Sequence, residues 1–296
     1  MPGQIVHVDL ILFLEICLGG IQYHLLACDE FSTYVHSFAM KTKSNIDIIV
    51  AFTSLVSYFK QFGHDVKFIH SDHESALISA TVYLNSQGIQ HNTIAPYQHE
   101  QKLERYVQTI NARFRSVLAS LKFKLPTKLY GQLFTAILKY LNVLPNSVHP
   151  TLTPAMIFKG HKFDIEVQCP IPFGTYASLH YAKRVMNKYE PHTENGLILY
   201  LADSTTHNMI AWIPGRNTVA KINKFTVIKA SPSDFGFQPN NNIILSHIPD
   251  FIKSYRQPQE GDQSNDKTQN QKLCSISFPL VKKWKNLPPI CSLVFP

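Results

Sequence analysis

The segment 5–14 is a run of β-branched and apolar residues that is interrupted near its middle by one acid, Asp9. A run of this kind is typical of a buried strand. Two further strand-like runs follow at 23–28 and 34–40, and Gly19-Gly20 marks a turn before them. Three consecutive short strands predict an antiparallel meander at the start of the chain.

Helical and strand-like segments then alternate. Apolar residues recur near a 3.6-residue period over 44–62, and the same spacing is found over 75–86 and 103–121. Between the first two of these segments, 66–70 predicts a strand that ends at Ser71-Asp72. Strands followed by alternating helices and strands favour the α/β class, with a mixed sheet covered by helices.

The pattern of apolar residues changes after Pro154. Short strand-like runs at 171–180, 196–201, 209–213 and 219–229 are separated by Pro, Gly, Asn and Asp, which is typical of a small all-β module. Residues 257–272 are almost wholly polar and are expected to be disordered. We therefore predict a core over 1–158, a small basic β module over 159–232 and a low-complexity or disordered tail over 233–296.

Charge is distributed unevenly. The net charge is +8, but residues 1–100 hold 4 basic and 9 acidic residues, whereas residues 101–230 hold 17 and 6. A basic segment of this size favours a polyanionic partner. The five cysteines are scattered without a C-x-x-C pair, which argues against a disulfide framework and a Cys-based zinc site. The most apolar early stretch, 10–18, is too short for a membrane span and contains Glu15.

Three carboxylates have positions that favour metal chemistry. Asp9 lies inside an apolar strand, Asp72 ends another strand, and Glu104 opens a helix. An ionised carboxylate in apolar surroundings is costly unless it is paired or bound to a cation. If the three converge, an oxygen-rich cluster of this kind suits Mg²⁺. A hydrogen-bonded aspartate and a glutamate that favours the helix dipole are the alternative, purely structural roles.

Several motifs around these acids resemble the integrase core of copia-type LTR retrotransposons. They are Val6-His7-Val8-Asp9-Leu10, Cys28-Asp29-Glu30-Phe31-Ser32, Lys43-Ser44, Ser71-Asp72-His73-Glu74-Ser75, Ala95-Pro96-Tyr97 and Leu103-Glu104-Arg105. Downstream, Thr153-Pro154-Ala155-Met156, Pro172-Phe173-Gly174 and the run from Tyr189 to Pro214 are also similar to that family. The resemblance covers about 230 residues, up to roughly Pro232.

The resemblance implies an RNase H-like fold with a mixed five-stranded sheet. It further implies that Asp9, Asp72 and Glu104 form a catalytic triad that binds two Mg²⁺ or Mn²⁺ ions for 3′-end processing and strand transfer on DNA. The expected partners are the DNA ends of the retroelement and target DNA, and the active form is expected to be a homo-oligomer in the nucleus, with a transient cytoplasmic stage. No membrane partner is expected.

The resemblance also predicts where DNA is contacted. The candidate residues follow the third acid or stand close to it: Tyr97, Lys102, Arg105, Arg113, Arg115, Lys122 and Lys124. Asp29 lies in a segment that is structural in the family. Glu74 is assigned one of two roles, either orienting a water or capping the helix that begins near Ser75.

The sequence departs from the family pattern at the third acid. Only 31 residues separate Asp72 from Glu104, and the usual glycine-containing stretch reads His99-Glu100-Gln101-Lys102-Leu103. Glu100 is therefore an alternative third ligand. His73 replaces the commoner Asn, and eight residues precede Asp9 where the family has a zinc-binding module, so we expect a fragment or a decaying copy. A catalytically inactive nucleic-acid-binding relic and a generic RNase H-like nuclease remain alternative functions.

Overall fold

The first sheet contains the predicted opening meander. The computed structural model describes residues 1–93, 101–162, 171–180, 193–203, 208–240 and 252–254. The strands are β1 (Ile5–Cys17), β2 (Ile21–Asp29), β3 (Val35–Met40), β4 (Phe68–Ser71) and β5 (Gln90–Thr93), in the order β3-β2-β1-β4-β5. β1, β2 and β3 pair antiparallel, whereas β1, β4 and β5 pair parallel. The prediction of a mixed five-stranded sheet is confirmed.

Six helices accompany this sheet in the described part of the chain. They are α1 (Asn45–Gln61), α2 (Ser75–Ile78), α3 (Thr81–Ser86), α4 (Gln101–Ser120), α5 (Tyr130–Asn142) and α6 (Pro154–Lys159). The predicted helix over 75–86 is two short helices, because the chain turns at Ser79 and Ala80. The predicted helix over 103–121 is confirmed as α4, which begins two residues earlier.

The alternation of side chains along β1 separates two cores. Val6, Val8 and Leu10 pack with residues of α1 on one face of the sheet. Ile11 and Phe13 pack on the other face with residues of α4 and α5. Because successive side chains of a strand point to opposite faces, Asp9 shares the α4 face with Ile11.

A second sheet follows the helices. Its strands are β6 (Thr175–His180), β7 (Thr193–Leu201), β8 (Met209–Ile213), β9 (Thr218–Ile222) and β10 (Lys224–Val227), in the order β10-β6-β7-β8-β9. Every described pairing in it is antiparallel, which confirms the predicted small all-β module.

The β module packs directly on α5 and on the segment before it. The Tyr200 hydroxyl donates to Gln132 Oε1 at 2.6 Å, and Lys139 Nζ lies 2.7 Å from Asp203 Oδ2. Leu197 and Trp212 of the module are buried in the same apolar cluster as Phe13 and residues of α4 and α5. The two sheets are therefore joined by a continuous hydrophobic core.

Two segments of the predicted tail are ordered in the structure. Residues 232–240 form a short turn of helix and then pair with the segment after α4, where the Lys124 N–H donates to the Gln238 carbonyl at 2.9 Å. Strand β11 (Ile252–Ser254) pairs antiparallel with β1 over Ile11–Phe13. The polar stretch 257–272 lies outside the described residues.

Among the described residues, no helix is both long and apolar enough to cross a membrane.

Candidate active site

Asp9 is held inside the sheet on the face covered by α4. Its side chain is 7% exposed, and Oδ1 accepts a hydrogen bond from the Leu10 N–H at 2.7 Å. The flanking Val8 and Leu10 are fully buried on the opposite face. The strand therefore forms because of its apolar residues, and Asp9 faces the side on which α4 begins.

Asp72 emerges beside Asp9. β4 and β1 are parallel neighbours, and Val8 pairs with Ser71 in their register. The next residue after each of these is an aspartate, so Asp9 in β1 and Asp72 directly after β4 lie side by side, since adjacent strands of a sheet are about 4.8 Å apart. The sequence expectation that these two acids come from neighbouring strands agrees with this geometry.

A third acid, Glu74, follows Asp72 after a tight turn of the chain. The Glu74 N–H donates to the Asp72 carbonyl at 2.8 Å, which folds the chain back directly after β4. The Glu74 side chain is 5% exposed, and neither carboxylate oxygen has a hydrogen-bond partner among the described residues. Glu74 precedes α2, but its side chain makes no capping hydrogen bond, so the proposed capping role is wrong.

The electrostatic environment of Glu74 connects it to the two aspartates. The pKa of Glu74 is raised to about 8, mainly by burial and also by the negative charges of Asp9 and Asp72, while Lys43 acts in the opposite direction. Both desolvation and neighbouring like charges disfavour the ionised form of a carboxylic acid. Negative charge is therefore concentrated around Asp9 in β1 and the residues that follow β4.

Asp29 is a buried acid whose carboxylate, unlike that of Glu74, is satisfied by hydrogen bonds. Its carboxylate accepts hydrogen bonds from the Gly3 N–H at 2.6 Å, from the Ser32 N–H at 2.7 Å and from the Ser32 hydroxyl at 2.5 Å. A carboxylate with this many donors is stabilised in its ionised form without a cation. The geometry supports the structural role that the sequence indicates for Asp29.

Glu104 lies in the first turn of α4 and is half-buried. The preceding residue, Leu103, is buried in the same cluster as Ile11, so the start of α4 lies on the face that carries Asp9. In the described part of the chain, no three His, Cys, Asp or Glu side chains lie close enough to hold a metal ion together. The alternative ligand Glu100 lies outside the described residues, and the triad of Asp9, Asp72 and Glu104 stays a prediction.

The predicted DNA-contacting residues differ in their exposure. Arg105, Lys122 and Lys124 are exposed, whereas Arg113 and Arg115 are half-buried. Burial lowers the pKa of the Arg113 guanidinium. Tyr97 and the Lys102 side chain lie outside the described residues.

The donor atoms beside Asp9 and Asp72 match the preference of a hard divalent cation. Mg²⁺ and Mn²⁺ are bound in proteins through carboxylate oxygens, commonly with several waters retained. The donor atoms are thus of the type that such a cation prefers, but the described side chains do not bring three of them together around one point.

The comparisons with known proteins concern structure alone. No protein-family model matches the sequence, and no curated protein matches it either. The HTLV-2 integrase catalytic core domain, solved in complex with magnesium in a trimeric form, is 20% identical over 53% of this chain and 97% of that chain, with a TM-score of 0.40. The catalytic core domain of BIV integrase is 14% identical over 53% and 93%, with a TM-score of 0.38.

A third similar structure covers a larger share of this chain. It is a chain of the simian T-cell lymphotropic virus intasome in complex with the PP2A regulatory subunit B56 gamma. It is 15% identical over 78% of this chain and 83% of that chain, with a TM-score of 0.39. All three solved structures belong to retroviral integrases.

Proposed function

We propose that this chain is the catalytic core and β module of a retroelement integrase of the copia type, which joins DNA by two-metal phosphoryl transfer. The observation that carries the proposal is the pair Asp9 and Asp72, which follow paired residues of the parallel strands β1 and β4. The start of α4, with Glu104, lies on the same face of the sheet as Asp9. The sequence motifs around all three acids support the same function.

Asp9, Asp72 and Glu104 would hold the ions. When bound, Mg²⁺ or Mn²⁺ supplies Lewis acidity that activates a water or a terminal 3′-hydroxyl and stabilises the leaving oxygen of a phosphodiester. The sheet fixes these two aspartates, because Asp9 lies within β1 and Asp72 directly follows β4. The apolar side chains around Asp9 limit the access of water to this acid.

DNA would approach along α4 and the segment that follows it. Arg105, Lys122 and Lys124 present exposed positive charges there. Such residues contact phosphates, so the choice of target is expected to depend little on base sequence. Action on two DNA ends requires several subunits, which supports a homo-oligomer, and action on chromosomal DNA supports a nuclear location.

The test is strand transfer by purified protein with preprocessed, labelled donor DNA and Mg²⁺. Wild-type protein should form joined products, and Asp72→Asn should remove them, because an amide is a poor ligand for the ion. Asp65→Asn is the matched control, since Asp65 is an exposed aspartate on the loop before β4. DNA binding without any metal-dependent joining or cleavage would contradict the proposal.

A second candidate function is a catalytically inactive DNA-binding protein with the same fold. The absence of three convergent metal-binding side chains among the described residues favours it. The same assay separates the possibilities, because an inactive protein binds DNA without products, whereas a generic RNase H-like nuclease cleaves DNA without joining it.

A further inference from the structure

Strand β3 is an outer strand of the first sheet, and one of its edges faces no strand in the described part of the chain. The other edge pairs with β2 along the whole of β3. At Val35 the free edge is closed by the Asn142 side chain, which donates to the Val35 carbonyl at 2.6 Å and accepts from the Val35 N–H at 2.8 Å. One side-chain amide therefore makes the two hydrogen bonds that a residue of a neighbouring strand would make.

The next residues that face this edge have no such partner. Because the backbone groups of a strand alternate between its two edges, Ser37 and Ala39 direct their N–H and C=O groups to the same side as Val35. No described residue hydrogen-bonds to these backbone groups. Ala39 is exposed and Ser37 is half-buried, so another chain can reach them. Unpaired edge groups of this kind accept an added strand.

A cleft that is open to solvent lies beside the same edge. It is bounded by β3, by α5 and α6 and by the residues that follow β7, and its lining includes Ser37, Thr135, Leu138, Lys139, Lys159 and Asp203. The side chains of an added strand would alternate between the two faces of the sheet. Some of them would therefore enter the cleft.

Lys159 gives this cleft an uncompensated positive charge. Lys139 pairs with Asp203 at 2.7 Å, whereas Lys159 forms no salt bridge with a carboxylate of the described residues. The Lys159 ammonium lies 5.8 Å from the centre of the Tyr34 ring and 5.5 Å from that of the Phe62 ring. Burial lowers the pKa of this ammonium, although the charge of Asp203 acts in the opposite direction. A carboxylate beside Lys159 would balance the charge of the cleft.

We propose that the free edge of β3 binds an extended segment of a partner protein, which adds to the first sheet as a further strand and places an acidic side chain beside Lys159. Backbone hydrogen bonds at Ser37 and Ala39 hold the segment, and Lys159 selects for the acid. Asn142 occupies the edge at Val35 and so sets where the pairing stops. The inference does not depend on the proposed function, since Asp9 and Asp72 belong to β1 and the segment after β4.

The probe is the peptide acetyl-Thr-Val-Glu-Val-Thr-amide, titrated into the isotope-labelled full chain and followed by nuclear magnetic resonance. The amide signals of Ser37 and Ala39 should shift to saturation, and exchange of their N–H groups with solvent should slow. A peptide with Lys in place of Glu should bind about fivefold more weakly. The acidic peptide with every backbone nitrogen methylated should not bind, because it has no N–H to donate.

Two variants test the two parts of the site. Lys159→Glu should reverse the preference between the acidic and the lysine peptide. The matched control is Lys67→Glu, which changes an exposed lysine before β4, away from β3, and should leave the preference as it is in wild type. Ala39→Pro removes one N–H where an edge strand tolerates proline, so it should weaken binding without lowering the urea midpoint. If the midpoint does fall, the methylated peptide makes the same test on the unaltered chain.

Several results would overturn the inference. The first is that the acidic peptide does not bind, or that it binds no better than the lysine peptide. The second is unchanged exchange at Ser37 and Ala39 when Lys159 is occupied, since the contact would then involve side chains alone. The third is that a short DNA duplex, and not the peptide, shifts these signals. Shifts that depend on protein concentration without peptide would assign the edge to a second copy of this chain.

Discussion

Asp29 and Glu74 have opposite surroundings, although both are buried acids close to the end of a strand. Asp29 accepts hydrogen bonds from the Gly3 N–H and from Ser32, whereas Asp9 and Asp72 place negative charge near Glu74. The sequence indicates Asp9 and Asp72 because each follows or interrupts an apolar run. For Glu74 it predicts a water-orienting or a capping role, and the capping hydrogen bond is not formed.

At the residue scale, His24 should make the protein sensitive to acid. It is buried between Phe13 and Phe134, and burial lowers its pKa to about 3, with a smaller contribution from His36. The unfolded chain binds a proton below about pH 6.5, whereas the folded protein does not, so stability falls as the pH drops from 6.5 toward 3. Between pH 7.5 and 5.0 this single group should cost about 2 kcal/mol of unfolding free energy.

Urea unfolding at the two pH values measures this effect. In His24→Gln, which does not titrate, the difference between pH 7.5 and 5.0 should shrink by about 2 kcal/mol. His161→Gln alters an exposed histidine and should leave the difference unchanged. An equal pH dependence in wild type and His24→Gln would show that the buried imidazole is not responsible.

At the scale of elements, periodicity predicts long helices well and short ones poorly. The apolar stripe of α4 extends over five turns, so Leu103, Ile110 and Phe114 are all found in the core. The break between α2 and α3 has no proline or glycine to announce it. Strand β11 has only three residues, too few for an alternating pattern to be recognised.

The basic residues after Glu104 separate into two groups. Lys128 and Lys139 are engaged with the β module, since Lys128 hydrogen-bonds to Asn217 and lies 5.0 Å from the centre of the Trp212 ring, and Lys139 pairs with Asp203. Arg105, Lys122 and Lys124 remain exposed. A positive segment of sequence therefore contains both structural and solvent-facing charges, which composition cannot separate.

The exposed group should carry the salt dependence of DNA binding. Replacing Arg105, Lys122 and Lys124 together by alanine should weaken binding and reduce the slope of log affinity against log salt by roughly one for each phosphate contact that is lost. The matched control is Lys128→Ala, whose charge is already engaged. Binding isotherms at several salt concentrations give the slopes, and equal slopes in the triple variant and wild type would exclude these residues from the interface.

At the scale of the whole molecule, the β module and the first sheet share one hydrophobic core. The sequence pattern predicts that an α/β region is followed by an all-β module. It does not predict that Leu197 and Trp212 pack with Phe13 and the helices. That contact depends on the relative placement of two distant segments, for which the sequence alone has no local signal.

The shared core should make unfolding cooperative. In a Trp284→Phe background, Trp212 fluorescence and far-ultraviolet circular dichroism should report the same denaturant midpoint. Leu197→Ala, which removes a fully buried side chain of the module, should lower the unfolding free energy by about 2–5 kcal/mol and shift both signals together. Two separate transitions would show that the sheets unfold independently.

Strand β11 affects whether another polypeptide can pair with β1. β4 pairs with β1 only as far as Val8, and β11 takes up the free backbone groups of β1 on that side from Ile11 to Phe13. Unpaired strand edges are the places where another polypeptide can extend a sheet. A foreign strand can add here only by displacing Ile252–Ser254, so the chain itself competes for the edge of the strand that carries Asp9.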